Sequence, residues 1–337
     1  EVYNPSTRDV WRNIPDASAD DAKKAVDAAN AAKEEWAATN HVQRSRYLLK
    51  AADIVERRTK EIAGLLTEEA GSWIGKAMFE VGYVIDLLRA AAATAYQVKG
   101  EILPSDHGKL MMVERVPLGV VSVISPWNFP LLLSGRGLSV PLAVGNTVVL
   151  KPSEETPVTG GIIYAEIFEE AGLPAGVFNV VTCSRDSVQD VGDVLVTSPE
   201  VGGISFTGST AVGRQIARDG AYHLKKIAME LGGKDALIIL DDADMEHAVD
   251  AATFGTFMNQ GQICMSTERI FVHEAIADEF VDKFVARVKG LGIGNVNELG
   301  CPIGPIINDK QLDKIHTQVT DAIDSGATLL TGGSYDG

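Results

Sequence analysis

Apolar residues recur at intervals of three and four through Ala22, Ala25, Val26, Ala29, Ala32 and Trp36, a spacing that predicts an amphipathic helix. Ser18, followed three places later by Asp21, supplies a capping signal at its start. The same spacing through Leu48, Leu49, Ala52, Val55, Ile62 and Leu65 predicts a second helix, and through Val84, Leu87, Leu88 and Ala91 a third. After Gly100 the pattern changes. Short apolar runs at 119–124, 147–150, 177–181 and 201–206 read as strands buried on both faces, with helices such as 157–171 and 210–220 between them. That alternation predicts a doubly wound parallel sheet of the α/β class. A strand at 236–240, a helix from Met245 to about Met258, a strand at 269–272 and helices from Ala275 and Asp309 then predict a second α/β domain.

Length sharpens this picture: 337 residues suit two domains of ordinary size and allow an enclosed cleft. With 45% hydrophobic and 23% charged residues the chain has the balance of a globular protein, and no apolar run is long enough to cross a bilayer. Glu1-Val2-Tyr3-Asn4-Pro5 has neither a basic start nor an apolar signal core, so a cytoplasmic location is expected. Acidic residues outnumber basic by 46 to 30, and the net charge of -16 argues against nucleic acid or an anionic membrane as partner. The same excess fits a high-salt cytoplasm as well as an ordinary acidic protein. Cys183, Cys264 and Cys301 are odd in number and far apart, which indicates neither a disulfide framework nor a zinc site. The six histidines, His41, His107, His223, His247, His273 and His316, never fall at metal-ligand spacing and read as surface or packing residues, so no metal is expected.

In an open parallel sheet ligands bind outside the carboxyl ends of the strands, and candidate residues cluster there. The strand ending at Ile124 runs into Ser125-Pro126-Trp127-Asn128-Phe129-Pro130, a turn clamped by two prolines that carries a side-chain amide. The next strand ends in Lys151-Pro152-Ser153-Glu154, whose lysine can hold a ribose or phosphate and whose glutamate can accept from ribose hydroxyls; an ordinary surface ion pair is the plainer reading. Thr207-Gly208-Ser209-Thr210-Ala211-Val212-Gly213 is a glycine turn opening a helix, where backbone N–H groups would face a pyrophosphate, although the spacing is not Gly-x-Gly-x-x-Gly. The glycines 290, 292 and 294 follow a helix and read as a turn. Glu230, at the end of an apolar stretch and before Leu231-Gly232-Gly233, reads as a partly desolvated carboxylate suited to general-base work, against the alternative of a solvated strand-end glutamate. Cys264 stands past a predicted helix among polar and small residues, unlike Cys183, which follows an apolar run and reads as structural.

Taken in order, the segments 126–130, 151–154, 206–210, 230–234 and 261–264 resemble the signature segments of the aldehyde dehydrogenase superfamily, and the similarity runs from Asn4-Pro5 onward. The resemblance implies a Rossmann-like NAD-binding domain over 1–98 and 118–231, an oligomerisation β-arm over 99–117, and a catalytic domain over 232–337. It implies that Cys264 attacks an aldehyde to give a thiohemiacetal and then a thioester, that Asn128 and the Cys264 N–H form an oxyanion hole, and that Glu230 activates the hydrolytic water. Cofactor contacts follow the same way: Ile124, Ser125, Pro126 and Trp127 as the wall, Lys151, Ser153 and Glu154 at the adenosine ribose, Gly208, Ser209 and Val212 at the pyrophosphate turn, and Leu231 with Gly232 beside them. Glu154 favours NAD over NADP, since a carboxylate would repel a 2′-phosphate. The glycine-free loop Thr182-Cys183-Ser184-Arg185-Asp186-Ser187 departs from the family's pattern and receives no cofactor contact. The chain stops before the family's second cofactor-binding glutamate, its substrate tunnel and its C-terminal oligomerisation strand, so the catalytic domain is expected to be incomplete and the enzyme a homodimer or homotetramer. The expected substrate is a small aldehyde, with the benzaldehyde- and vanillin-oxidising branch the most similar; a coenzyme A-acylating semialdehyde dehydrogenase and a silent dinucleotide-binding relative are the alternatives.

Overall fold

The computed structural model describes residues 1–106 and 108–334, so His107 and the last three residues of the expected 232–337 domain lie outside the described residues. In chain order the elements are β1 (Val2–Tyr3), β2 (Val10–Arg12), α1 (Ala19–Ala38), α2 (His41–Arg57), α3 (Thr59–Ala70), α4 (Ile74–Thr94), β3 (Glu101–Leu103), β4 (Met111–Val113), β5 (Val120–Ile124), α5 (Pro130–Ala143), β6 (Thr147–Lys151), α6 (Ile163–Ala171), β7 (Phe178–Val180), α7 (Val188–Thr197), β8 (Val201–Thr207), α8 (Thr210–Tyr222), β9 (Lys226–Glu230), β10 (Asp235–Ile239), α9 (Met245–Phe257), β11 (Thr267–Val272), α10 (Ala277–Lys289) and α11 (Asp309–Asp324). They form two compact units. One comprises Glu1–Val2, Arg12–Leu65 and Met78–Leu231, the other Tyr3–Trp11, Leu66–Ala77 and Gly232–Gly337.

The first unit is built on five parallel strands in the order β7-β6-β5-β8-β9. Ala22, Val26 and Ala29 of α1, Val191 and Leu195 of α7 and Ile216 of α8 share one cluster with Val120, Val149, Ile204 and Phe206 of the sheet. Helices α5 and α6 pack against β5, β6 and β7, so helices cover both faces as a doubly wound sheet requires. The central strands β5 and β6 are buried almost throughout, whereas β7, expected to be buried on both faces, is an edge strand and only half-buried. Helix α1 starts with the expected capping box, Ser18 and Asp21 each bonding the other's backbone N–H. The single helix expected from Leu48 to Leu65 is two. It breaks at Arg58 (φ -92, ψ 12), where the Thr59 hydroxyl donates to the Glu56 carbonyl at 2.7 Å and the Arg58 guanidinium reaches Glu61 and Glu166. The helix expected from Pro157 opens with a π turn over Val158–Ile162, and in it Gly161 lies so close to the Pro152 ring that a Cβ would stand 2.7 Å from it. The 99–117 segment carries the antiparallel pair β3–β4, with Ile102, Met111, Met112 and Val113 exposed.

In the second unit β10 and β11 pair in parallel across the α9 crossover. Ile239, Val249, Ala252 and Phe280 form its core, and the rings of Phe280 and Phe284 stack at 5.5 Å. Asp244 caps α9 by accepting from the His247 N–H at 2.9 Å. The glycines at 290, 292 and 294 follow α10 and lead into a bridge between Ile293 and Ile303, a turn as expected.

Candidate active site

In the first unit the chain leaves β5 for β6 and β7 on one side and returns for β8 and β9 on the other, which opens a crevice at the carboxyl ends of β5 and β8. Ile124 closes β5 and Ser125 is buried behind it. The hydroxyls of Ser125 and Ser134 share a 2.6 Å hydrogen bond, and Ser134 donates on to the Gly160 carbonyl. Pro126, Trp127 and Asn128 form a half-buried turn before Pro130, the first residue of α5. The N-terminal N–H groups of α5 receive no cap from Phe129. Glu80 of α4, which sequence reasoning missed, does that work: fully buried, it accepts from the Leu132 N–H at 3.0 Å, and a carboxylate there also complements the helix dipole. The signal available in the sequence was a lone glutamate within the apolar stripe Ala77, Val81 and Val84.

At the end of β6, Lys151 is 4% exposed and Ser153 is also buried. The Lys151 ammonium lies 3.8 Å from Glu154, and Arg185 reaches the other carboxylate oxygen at 3.0 Å. Arg185 lies in the loop that received no role in the sequence reading; only the fold brings it to Glu154. Lys151 also lines an open cleft walled by Ile124, Val188, Val196, Val212 and Ile216. Ser209 caps α8 by accepting from the Val212 N–H, and the Gly208 N–H donates to the Glu230 carbonyl at 3.1 Å. A Cβ on Gly208 would stand 2.7 Å from the Phe206 ring, so glycine alone lets the backbone fold over it. Leu231 packs on α8, where a Cβ on Gly213 would meet it at 2.5 Å; Gly232 is exposed and begins the second unit. Glu230 differs from expectation. Its side chain is 51% exposed and its carboxylate accepts from Arg136 of α5 at 3.4 Å, because β9 is the sheet's edge strand and its end faces solvent.

Cys264 belongs to the second unit and is exposed. Before it, Asn259 (φ 50), Gln260 (φ 58) and Gly261 (φ 71) all take left-handed conformations, costly for the two residues with a Cβ. Side chains lock that turn: Ser266 donates to the Gly261 carbonyl at 3.1 Å, Gln262 to Asn259 at 3.3 Å, and the Gln262 oxygen accepts from the Ile307 N–H. Cys183 is buried, and burial pushes its thiol above the ordinary range, consistent with a structural residue. His273 caps a short 3-10 turn and His41 packs edge-on against Tyr96, both local packing roles. Among the described residues no group of three or more His, Cys, Asp and Glu could hold a metal, and no helix is long and apolar enough to cross a membrane.

The donor set of the first unit fits a nicotinamide dinucleotide: an apolar cleft for a flat base, a buried ammonium lining it with a carboxylate 3.8 Å from that ammonium, and a capped helix N-terminus for phosphate. Comparison with known proteins agrees. The aldehyde dehydrogenase family model matches residues 1–337. The chain is 44% identical over 335 residues to a vanillin dehydrogenase of Amycolatopsis sp., covering 99% of this chain and 68% of that protein. The crystal structure of a salicylaldehyde dehydrogenase from Pseudomonas putida G7 complexed with salicylaldehyde superposes with a TM-score of 0.96 at 42% identity, over 100% of this chain and 70% of that one. That of an NAD-dependent benzaldehyde dehydrogenase from Corynebacterium glutamicum does so with a TM-score of 0.94 at 43% identity, over 100% and 73%. The chain therefore belongs to the aldehyde dehydrogenase family, NAD(P)-dependent enzymes that oxidise aldehydes to carboxylic acids.

Proposed function

We propose that this protein oxidises an aromatic aldehyde with NAD, using Cys264 as nucleophile, Asn128 as oxyanion donor and Glu230 as general base. The observation that carries the reading is the strand-end set of Lys151, Glu154, Gly208 and Ser209 beside an apolar cleft, joined to 42–44% identity with enzymes named for aromatic aldehydes. Lys151, Ser153 and Glu154 would hold the adenosine ribose, Gly208, Ser209 and Val212 the pyrophosphate, and Ile124, Ser125, Pro126, Trp127, Leu231 and Gly232 the remaining wall. When bound, the cofactor supplies the hydride acceptor. Glu154, held by Arg185 and Lys151, is placed to accept from ribose hydroxyls, and NAD is favoured by likeness to the NAD-dependent benzaldehyde dehydrogenase.

The exposed Cys264 thiolate adds to the aldehyde carbon, and the resulting alkoxide takes hydrogen bonds from the Asn128 amide and the Cys264 N–H, a contribution of about 3 kcal/mol. After oxidation leaves a thioester, Glu230 takes a proton from water as its oxygen bonds the acyl carbon, and the C–S bond breaks to return the Cys264 thiolate and release the acid. The exposed apolar β3–β4 pair supports a homodimer or homotetramer.

The test follows NADH formation with benzaldehyde, vanillin, salicylaldehyde and aliphatic aldehydes, each with NAD and NADP. Turnover is expected with the aromatic set and NAD, and Cys264→Ala should lose at least about a thousandfold. Turnover that depends on coenzyme A and survives Glu230→Gln would overturn the hydrolytic reading.

A further inference from the structure

We propose that Arg136 is a positioning residue for Glu230, holding the carboxylate in the orientation from which it activates the hydrolytic water; the inference rests on the reading of Glu230 as general base. The backbone at Glu230 is fixed, because its carbonyl accepts from the Gly208 N–H at 3.1 Å and β9 is zipped to β8 up to the pair Thr207 and Glu230. The side chain beyond it is half in solvent and has several torsions to settle. The guanidinium of Arg136 pairs with it, donating at 3.4 Å.

The placement of Arg136 is itself built. It lies on α5, the helix that starts at the Asn128 turn and is capped by Glu80. The next residue, Gly137, lets this part of α5 lie against the sheet, since a Cβ there would stand 2.5 Å from Val123 and 3.4 Å from the Ser205 hydroxyl. Arg136 and Glu230 consequently line one small pocket with Ser205, Phe206 and Thr207 at the strand ends. Stability does not account for the pair: both side chains are about half exposed, and ion pairs of that kind contribute roughly 0–1 kcal/mol. Direction does. The single bond from Arg136 to one Glu230 oxygen biases where that carboxylate points, and a general base displaced from its water loses rate steeply.

The test measures hydrolysis of the acyl enzyme directly. The protein with NAD is acylated by a pulse of benzaldehyde, quenched in acid at intervals, and the acyl adduct on Cys264 is followed by intact mass. Arg136→Gln should slow adduct decay by about tenfold while leaving the rate of adduct formation within about twofold, and Arg136→Lys should recover part of the loss. Decay at the wild-type rate in Arg136→Gln beside slow decay in Glu230→Gln overturns the role of Arg136 alone. Wild-type decay in Glu230→Gln overturns the reading of Glu230 itself. Equal loss of adduct formation and decay in Arg136→Gln, with an unchanged unfolding midpoint, also overturns the proposal, since it places Arg136 before the hydrolytic step.

Discussion

Lys151 and Cys264 stand at the two extremes of how this chain holds a reactive side chain. Lys151 ends a strand buried from Thr147 onward, inside a sheet covered by helices on both faces, and its buried ammonium lies 3.8 Å from Glu154. Cys264 is exposed and follows three residues with positive φ whose shape is maintained by side-chain hydrogen bonds from Ser266 and Gln262. The first arrangement draws on many apolar contacts, so its precision is inherited from the core. The second draws on a few local bonds and an unfavourable backbone, so single residues around it carry disproportionate weight.

Four measurements test that contrast. Asn128→Ala, which removes an amide from a turn supported by the Ser125–Ser134 hydrogen bond and the Glu80 cap, should lower kcat by about 100- to 1000-fold while the unfolding midpoint barely moves. A large stability loss would show that the turn depends on Asn128 itself. Lys151→Met keeps the buried stem and removes the ammonium; KM for NAD should rise about tenfold with kcat within about twofold, as read from initial rates at saturating aldehyde. Gly261→Ala places a Cβ at φ 71 and 3.2 Å from the Thr256 carbonyl, and should cost about 1–2 kcal/mol in denaturant unfolding together with slower alkylation of Cys264. A neutral result there would mean that the turn tolerates more than its dihedrals suggest. The last measurement concerns Cys183. Burial raises its thiol in the folded state, so the folded protein keeps a proton that the unfolded chain has already lost; this contribution is complete below the ordinary thiol range and declines as pH climbs through the raised value. Iodoacetamide at pH 8 should therefore modify Cys264 about tenfold faster than Cys183, or more, in the native protein.

Periodicity made the parallel sheet legible, because strands buried on both faces read as unbroken apolar runs and the central strands β5 and β6 are of that kind. It failed where a local hydrogen bond overrode it. Nothing in the apolar spacing from Leu48 to Leu65 marks the break at Arg58, where the Thr59 hydroxyl bonds Glu56 and the Arg58 guanidinium meets Glu166 more than a hundred residues away. Edge status was equally hidden, since strand order is a property of the assembled sheet, and this is why β7 is less buried and Glu230 more exposed than their sequences suggested.

For the candidate site the division follows the same line. The residue types at strand ends, namely the Trp127-Asn128 turn, Lys151 with Glu154, and Gly208 with Ser209, are local features, and the sequence alone determined them and the family they indicate. Glu80 beneath Leu132, Arg185 on Glu154 and Arg136 on Glu230 join residues 31 to 94 positions apart. Those partners were settled by the assembled fold, because the reach of a side chain across it is set by strand order and helix placement, which no local pattern encodes.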